Sequence, residues 1–203
     1  GAISGMIETA ENLATEYHIS RAEADAYALR SQQRAAAAWA AEKFKDHLVD
    51  ITVPQGKGAS LNFATDEGVR PNTTLESLSQ LKPINGGVVT AGNASQQNDA
   101  AAACLVVAED QLEALGLTPS AYLVGWAAAG CHPATMGIGP VPAARQALER
   151  AGLGIGDMDV IEVNEAFAPQ YLAVEKALEL PRDKTNVNGG AIALGHPLAA
   201  SGA

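Results

Sequence analysis

Short apolar runs alternate with helical segments through the second half of the chain, and this alternation limits the possible folds most. The runs predicted to be strands are 88–91, 104–108, 121–129, 160–163 and 185–188. The segments predicted to be helices between and around them are 98–103, 109–115, 142–151 and 169–180. Strands that alternate with helices pack as layers, so the pattern predicts an α/β domain.

The first 83 residues have a different, more polar character and are predicted to be mainly helical. Ser20 and Glu23 form a Ser-x-x-Glu capping box, which opens a long alanine-rich helix. Thr73 and Glu76 form a second box of the same kind, and we expect a short helix to begin there.

Composition limits the classes of partner. The chain has 203 residues and a formal net charge of −10, which argues against nucleic acid as a ligand because phosphate neutralisation needs a basic surface. Its two cysteines form no Cys-x-x-Cys pair, so a reducing, cytoplasmic compartment is expected. No apolar run is long enough for a membrane span, and residues 1–5 do not resemble a signal peptide.

Two polar segments near the C-terminus follow predicted strands. Asn164 comes directly after strand 160–163, and His196 lies in the glycine-rich run 186–197. Side chains at the ends of two strands can converge on one reacting group, so His196 is a candidate general base or oxyanion donor and Asn164 its partner. The simpler interpretations are a structural histidine and, for Asn164, a helix cap. Glu165 could orient a base or be a solvated charge.

Ser95 ends a second small-residue loop, 90–95, which could contact a slender ligand or merely cap the next helix. For the adjacent pair Cys131 and His132, two functional interpretations arise, a nucleophile with its base and a metal site. We reject both because neighbouring residues of a strand point to opposite sides, and no further ligand spacing supports a metal. No metal site is therefore expected.

Four motifs, in order and spacing, resemble the thiolase family. They are Thr90-Ala-Gly-Asn-Ala-Ser, Met136-Gly-Ile-Gly-Pro, Asn164-Glu-Ala-Phe-Ala and the run 188–197. The resemblance covers nearly all of the chain and implies the thiolase-like layered αβαβα fold of the α/β class, with a helical and irregular loop domain. It further implies that residues 1–95 form that CoA-binding loop domain, 96–118 end the N-terminal half, and 119–203 are an incomplete C-terminal half.

The activity implied by the resemblance is acyl transfer. A thiolase of fatty-acid β-oxidation cleaves 3-ketoacyl-CoA with CoA, giving acetyl-CoA and a shortened acyl-CoA, with CoA as substrate and no permanently bound cofactor. One alternative is an acetyl-CoA acetyltransferase that condenses two acetyl-CoA, and another is a non-catalytic acyl-CoA-binding relative. Family members form homodimers or homotetramers. The compartment would be the cytoplasm, or the mitochondrial matrix in a eukaryote.

The resemblance also assigns roles to residues. His196 activates a cysteine nucleophile and, with a water held by Asn164, binds the thioester oxygen. The residues expected along CoA are Ser95 at the pantetheine arm, Met6, Met136 and Phe167 along its tunnel, and Arg70, Ser77 and Leu81 near its nucleotide end. The family's two catalytic cysteines would lie outside residues 1–203, and neither Cys104 nor Cys131 matches them. We therefore expect this chain by itself to be inactive.

Overall fold

The computed structural model of the chain describes residues 5–202, and its core is helical. Helix α1 (Met6–Glu16), helix α2 (Arg21–Ala40) and helix α6 (Ala168–Leu178) pack around one apolar cluster. The largest side chains of this cluster are Leu13, Ile19, Tyr27, Leu78, Tyr171, Leu172 and Ile192. Small residues allow α2 to approach its neighbours closely, since Ala24, Ala28 and Ala35 are all 0% exposed.

The capping box predicted for α2 is confirmed. The Glu23 backbone N–H donates to Ser20 Oγ over 3.2 Å, and the Ser20 backbone N–H donates to Glu23 Oε2 over 2.8 Å. These contacts satisfy two of the donors that a helix start leaves without partners. The beginning of the longest helix is thus determined by residues that are neighbours in sequence.

A hairpin and a short helix lead from α2 towards the site. Strands β1 (Ile51–Gly56) and β2 (Ala59–Phe63) pair antiparallel, and helix α3 (Leu75–Ser79) follows. The predicted start of α3 was wrong by one residue. The Ser77 backbone N–H donates to Thr74 Oγ1, whereas the Thr73 hydroxyl donates to Arg70 O over 2.8 Å and so closes the preceding turn.

A second, smaller cluster lies between helix α5 (Pro140–Ala151) and α6, and it is formed by Val141, Val174, Leu178 and Leu180 with partly buried neighbours. The predicted helices 142–151 and 169–180 are confirmed with shifted ends. Gly152, at φ +69°, ends α5 in the left-handed conformation that glycine adopts without strain. Helix α4 (Leu112–Leu115) and helix α7 (Ala191–Leu194) are single turns.

The predicted strands are mostly wrong as strands. Residues 104–108 and 121–129 are irregular and largely exposed, and 88–91 end in a turn. Runs 160–163 and 185–188 meet at a single parallel bridge between Ile161 and Thr185. A strand needs a neighbour for its backbone hydrogen bonds, and within residues 5–202 the two central runs have none. Helix 98–103 is also wrong, because this segment has no regular secondary structure.

Candidate functional site

Three loops meet to form the site: segment 93–98, the loop that carries Asn164 and the loop that carries His196. Backbone hydrogen bonds join them. The Ala168 N–H donates to Asn93 O over 2.8 Å, and the Ser95 N–H donates to Ala166 O over 2.9 Å. One residue beyond Ser95, Gln96 O accepts from the His196 N–H over 2.8 Å. The segment 93–98 therefore lies between the Asn164 loop and the His196 loop and holds both.

The structure brings Asn164 and His196 together, as the sequence predicted. Asn164 Nδ2 lies 3.3 Å from His196 Nε2, and Ser201 Oγ lies 2.7 Å from His196 Nδ1. An amide nitrogen only donates, so Nε2 accepts and carries no hydrogen. The hydrogen of the neutral ring is then on Nδ1, where it meets Ser201 Oγ, and that hydroxyl donates onward to Pro197 O over 3.1 Å. These contacts select the Nδ1–H tautomer.

The glycine before the histidine is required by geometry. Gly195 has φ +100°, and a Cβ there would lie 2.2 Å from Asn98 Oδ1. The same Asn98 oxygen accepts from the His196 N–H over 3.2 Å. Only glycine fits both the backbone conformation and the close approach, so the loop can carry His196 against segment 93–98.

His196 opens onto a cavity of about 560 Å³. Its walls are two short runs, 97–100 and 196–199. The side chains of Asn164 and His196 are not enclosed, because Asn164 is exposed and His196 is partly exposed. His196 is the member of the pair that lines this cavity, so a reacting group within it would meet the imidazole.

A second cavity of about 210 Å³ contains the three residues expected near the nucleotide end of CoA. Arg70, Ser77 and Leu81 all line it, together with Gln32, Gln96 and other residues from α2, α3 and the 91–96 loop. The Arg70 N–H donates to Gln32 Oε1 over 2.7 Å, which fixes the backbone. Among residues 5–202 the Arg70 guanidinium forms no ion pair, so its charge is available to an anion.

The segment 94–98 connects the two cavities. Ala94 and Gln96 line the smaller cavity, and Gln97 and Asn98 line the larger one. Ser95 lies between them on this segment and is half-buried. This is the position in which a hydroxyl could contact a chain-like ligand that spans both cavities.

The remaining expected tunnel residues are not brought to these cavities. Neither cavity is lined by Met6, Met136 or Phe167. Met6 and Met136 are about half exposed, at 48% and 46%, on elements that pack against each other, α1 and the 3₁₀ helix Pro133–Ile138. Phe167 pairs through its backbone with Ala94. Their contact with CoA remains a prediction.

The environment of Glu165 excludes a solvated charge, because this side chain is 0% exposed.

Sequence reasoning missed Asn98 and Ser201, which contact His196, because only folding brings them there. The two cysteines are exposed and line neither cavity. Within the described part of the chain, no cluster of histidine, cysteine and acidic side chains could hold a metal. No helix there is long and apolar enough to cross a bilayer.

Comparison with known proteins identifies the class to which this fold and site belong. Residues 4–110 match the family model for the thiolase N-terminal domain, and residues 117–203 match that for the thiolase C-terminal domain. The chain belongs to the thiolase family. It is 55% identical over 199 residues to the mitochondrial 3-ketoacyl-CoA thiolase of Homo sapiens, with 97% of this chain and 50% of that protein covered.

Solved structures confirm the thiolase fold. The crystal structure of human mitochondrial 3-ketoacyl-CoA thiolase in complex with CoA matches with a TM-score of 0.85 and 51% identity, over 97% of this chain and 49% of that one. The Bacillus anthracis acetyl-CoA acetyltransferase matches with a TM-score of 0.90 and 46% identity, over 97% and 50%. The chain spans about half the length of the relatives it matches.

Proposed function

We propose that this chain supplies the CoA-binding surface and the histidine–asparagine pair of a thiolase that cleaves 3-ketoacyl-CoA with CoA. The observation that carries the proposal is the 3.3 Å contact between Asn164 Nδ2 and His196 Nε2 beside an open cavity. The activity named for the human relative supports the same direction of reaction. The acyl transfer is thereby assigned to the loops 164–168 and 190–201.

The selected tautomer of His196 fits both tasks that acyl transfer requires. Its Nε2 has a lone pair and can take the proton of a thiol, leaving a thiolate that attacks the 3-keto carbon. The new C–S bond replaces the C2–C3 bond, and acetyl-CoA leaves as its enolate, which then takes up a proton. After that transfer Nε2 bears a hydrogen and stands beside the Asn164 amide, so both groups can donate to the thioester oxygen, directly or through a water. Ser201 accepts from Nδ1–H before and after the transfer, and the ring need not turn.

The two cavities support a path for CoA along the chain. Arg70, with no ion pair among the described residues, is available for a phosphate of the nucleotide end in the smaller cavity. The pantetheine arm would follow segment 94–98, past Ser95, and place its sulfur in the larger cavity at His196. A local cation is sufficient for this, so the net charge of −10 is no obstacle.

A binding experiment tests this path. Arg70→Ala should weaken CoA binding to the chain about tenfold or more, because hydrogen bonds to charged groups contribute about 1.5–3 kcal/mol and 1.4 kcal/mol is tenfold. Calorimetry would measure the affinity of the chain for CoA and for pantetheine. Arg70→Ala should lower the affinity for CoA and leave the affinity for pantetheine unchanged. Arg150→Ala is the matched control, since Arg150 bonds to Trp126 O away from both cavities. Equal CoA affinity in the wild type and Arg70→Ala would contradict the assignment.

The biosynthetic direction is the second candidate, favoured by the match to the Bacillus anthracis acetyl-CoA acetyltransferase. The two candidates differ in substrate length. A degradative thiolase would show higher kcat/KM with long 3-ketoacyl-CoA than with acetoacetyl-CoA, and a biosynthetic enzyme would prefer the short substrate. Measured on the complete protein, this ratio decides between them.

We further propose that the protein works as a homodimer or homotetramer in the cytoplasm, or in the mitochondrial matrix of a eukaryote. Large apolar side chains support association, because Leu105, Val106, Leu123, Val124 and Trp126 are between 67% and 80% exposed. Sedimentation should give a dimer or a tetramer. A monomer at micromolar concentration would contradict self-association.

A further inference from the structure

Glu165 is a fully buried acidic side chain that receives four hydrogen bonds. Its Oε1 accepts from Tyr27 Oη over 2.7 Å and from Asn186 Nδ2 over 3.0 Å. Its Oε2 accepts from Ser31 Oγ over 2.6 Å and from the Ile192 N–H over 3.2 Å. A buried charge is tolerated only when its lone pairs accept hydrogen bonds, and here each carboxylate oxygen accepts two.

These four donors come from three separate parts of the fold. Tyr27 and Ser31 lie one turn apart on α2, and Ile192 lies in α7, four residues before His196. Glu165 itself directly follows Asn164. The carboxylate is thus the point at which the Asn164 loop, the His196 loop and the longest helix are joined.

We propose that Glu165 is a positioning residue that fixes the distance between the Asn164 amide and the His196 imidazole. Its importance for catalysis rests on the proposed function, but the geometric claim does not. The carboxylate holds α7 and the backbone that carries Asn164 against the same helix, α2. Without it the two loops lose their common anchor, and the 3.3 Å contact between Nδ2 and Nε2 is no longer enforced.

The space around the carboxylate supports this assignment. A Cβ at Gly190 would lie 2.3 Å from Glu165 Cδ, so the loop that leads to His196 packs directly on the carboxylate. The Gly190 N–H also donates to Ser31 Oγ over 3.2 Å, which adds a second link between that loop and α2. Burial and the charge of Glu165 raise the pKa of Tyr27, which keeps its hydroxyl protonated as a donor.

Another buried acid provides a matched control. Glu175 on α6 is 8% exposed and also accepts from a tyrosine, Tyr171, in addition to Arg182. It contacts neither site loop by any hydrogen bond among the described residues. Glu175→Gln therefore makes the same chemical change at similar burial, and it separates a general loss of stability from a loss of positioning.

The substitution Glu165→Gln leaves one oxygen and introduces an amide nitrogen. Hydroxyl groups can rotate to accept from that nitrogen, but the Ile192 N–H cannot. The Asn186 amide could accept only by turning over, which would break its two hydrogen bonds to the Val163 backbone. In either orientation of the glutamine, one N–H donor therefore faces another. The loop that carries Asn164 or the loop that carries His196 must then move. Tyr27→Phe is a milder variant that removes one of the four donors and keeps the ring that stacks on Tyr171 at 4.0 Å.

The test is nitrogen NMR of the imidazole of His196 in the purified, uniformly labelled 203-residue chain without CoA. His196→Gln assigns its signal among those of the four histidines. We expect the Nδ1–H tautomer in the wild type and in Glu175→Gln. Glu165→Gln and Tyr27→Phe should move the signals towards a tautomer mixture, with loss of the Asn164–His196 contact. Unchanged His196 signals in Tyr27→Phe, or in a folded Glu165→Gln, would overturn the proposal.

An activity measurement then separates this proposal from the proposed function. In the complete protein, Glu165→Gln should lower kcat at least tenfold and change its pH profile while the KM for CoA stays within twofold. An unchanged kcat together with shifted imidazole signals would refute the catalytic importance of the positioning but leave its geometry intact. Absence of thiolase activity in the wild type would refute the proposed function alone.

Discussion

Alkaline pH should unfold the chain because two tyrosines are buried in its core. Tyr171 is 0% exposed, and burial, with the charge of Glu175 second, raises its pKa from 10.0 to about 12. Tyr27 is 3% exposed and its pKa is raised further by burial and by Glu165. In the unfolded chain both hydroxyls ionise near pH 10.

The sign and the size of the effect follow from proton linkage. Between pH 10 and 12 the folded state keeps protons that the unfolded state has lost, so the free energy of unfolding falls as pH rises. Each tyrosine contributes about 1.4 kcal/mol per pH unit, which gives about 5 kcal/mol for two groups over two units. This loss matches the lower end of the free energy of unfolding of typical domains, which is about 5–15 kcal/mol.

Circular dichroism and tyrosinate absorbance, recorded together against pH, would measure this. The helical signal should be constant below pH 10 and should disappear by about pH 12, together with the ionisation of the two buried rings. Tyr171→Phe should make the loss of stability above pH 10 about half as steep, whereas Tyr122→Phe should change nothing because Tyr122 is 61% exposed. Full helicity at pH 12 with both tyrosines ionised would refute the reasoning.

Two further predictions concern stability and are read from urea denaturation. Gly190→Ala places a Cβ 2.3 Å from Glu165 Cδ and should lower the free energy of unfolding by about 1–3 kcal/mol, as overpacking does. Gly130→Ala meets no atom within 4 Å and should be nearly neutral, so equal effects at both glycines would contradict the packing. Ser20→Ala removes the cap of α2 and should cost about 1 kcal/mol. An unchanged midpoint for Ser20→Ala would show that the cap contributes nothing.

Features decided by neighbours in sequence were predicted well. The Ser20–Glu23 capping box, for example, depends on contacts between residues three positions apart. The contact between Asn164 and His196 was also predicted, because each residue follows an apolar run that the sequence predicted to be a strand, and side chains at the ends of two strands can converge. The fold itself was recognised from motifs and is confirmed by solved thiolase structures.

Features that depend on distant partners were not predictable in the same way. The apolar run 121–129 reads as a strand, yet a strand forms only where another segment accepts its hydrogen bonds, and none does within residues 5–202. Ser31 lies 134 positions from Glu165 and 159 from Gly190, and sequence spacing carries no signal for either contact. The anchoring of the site loops therefore had to be read from the structure.

Thiolysis by the complete protein, compared with its Asn164→Ala and His196→Ala variants, tests the central claim most directly. Loss of one donor to the thioester oxygen should lower kcat about 10²- to 10³-fold for Asn164→Ala. Loss of the base should lower it about 10²- to 10⁴-fold for His196→Ala. Both variants should keep the wild-type circular dichroism, since neither side chain is buried. Near-normal rates in both folded variants would contradict the assignment of the site.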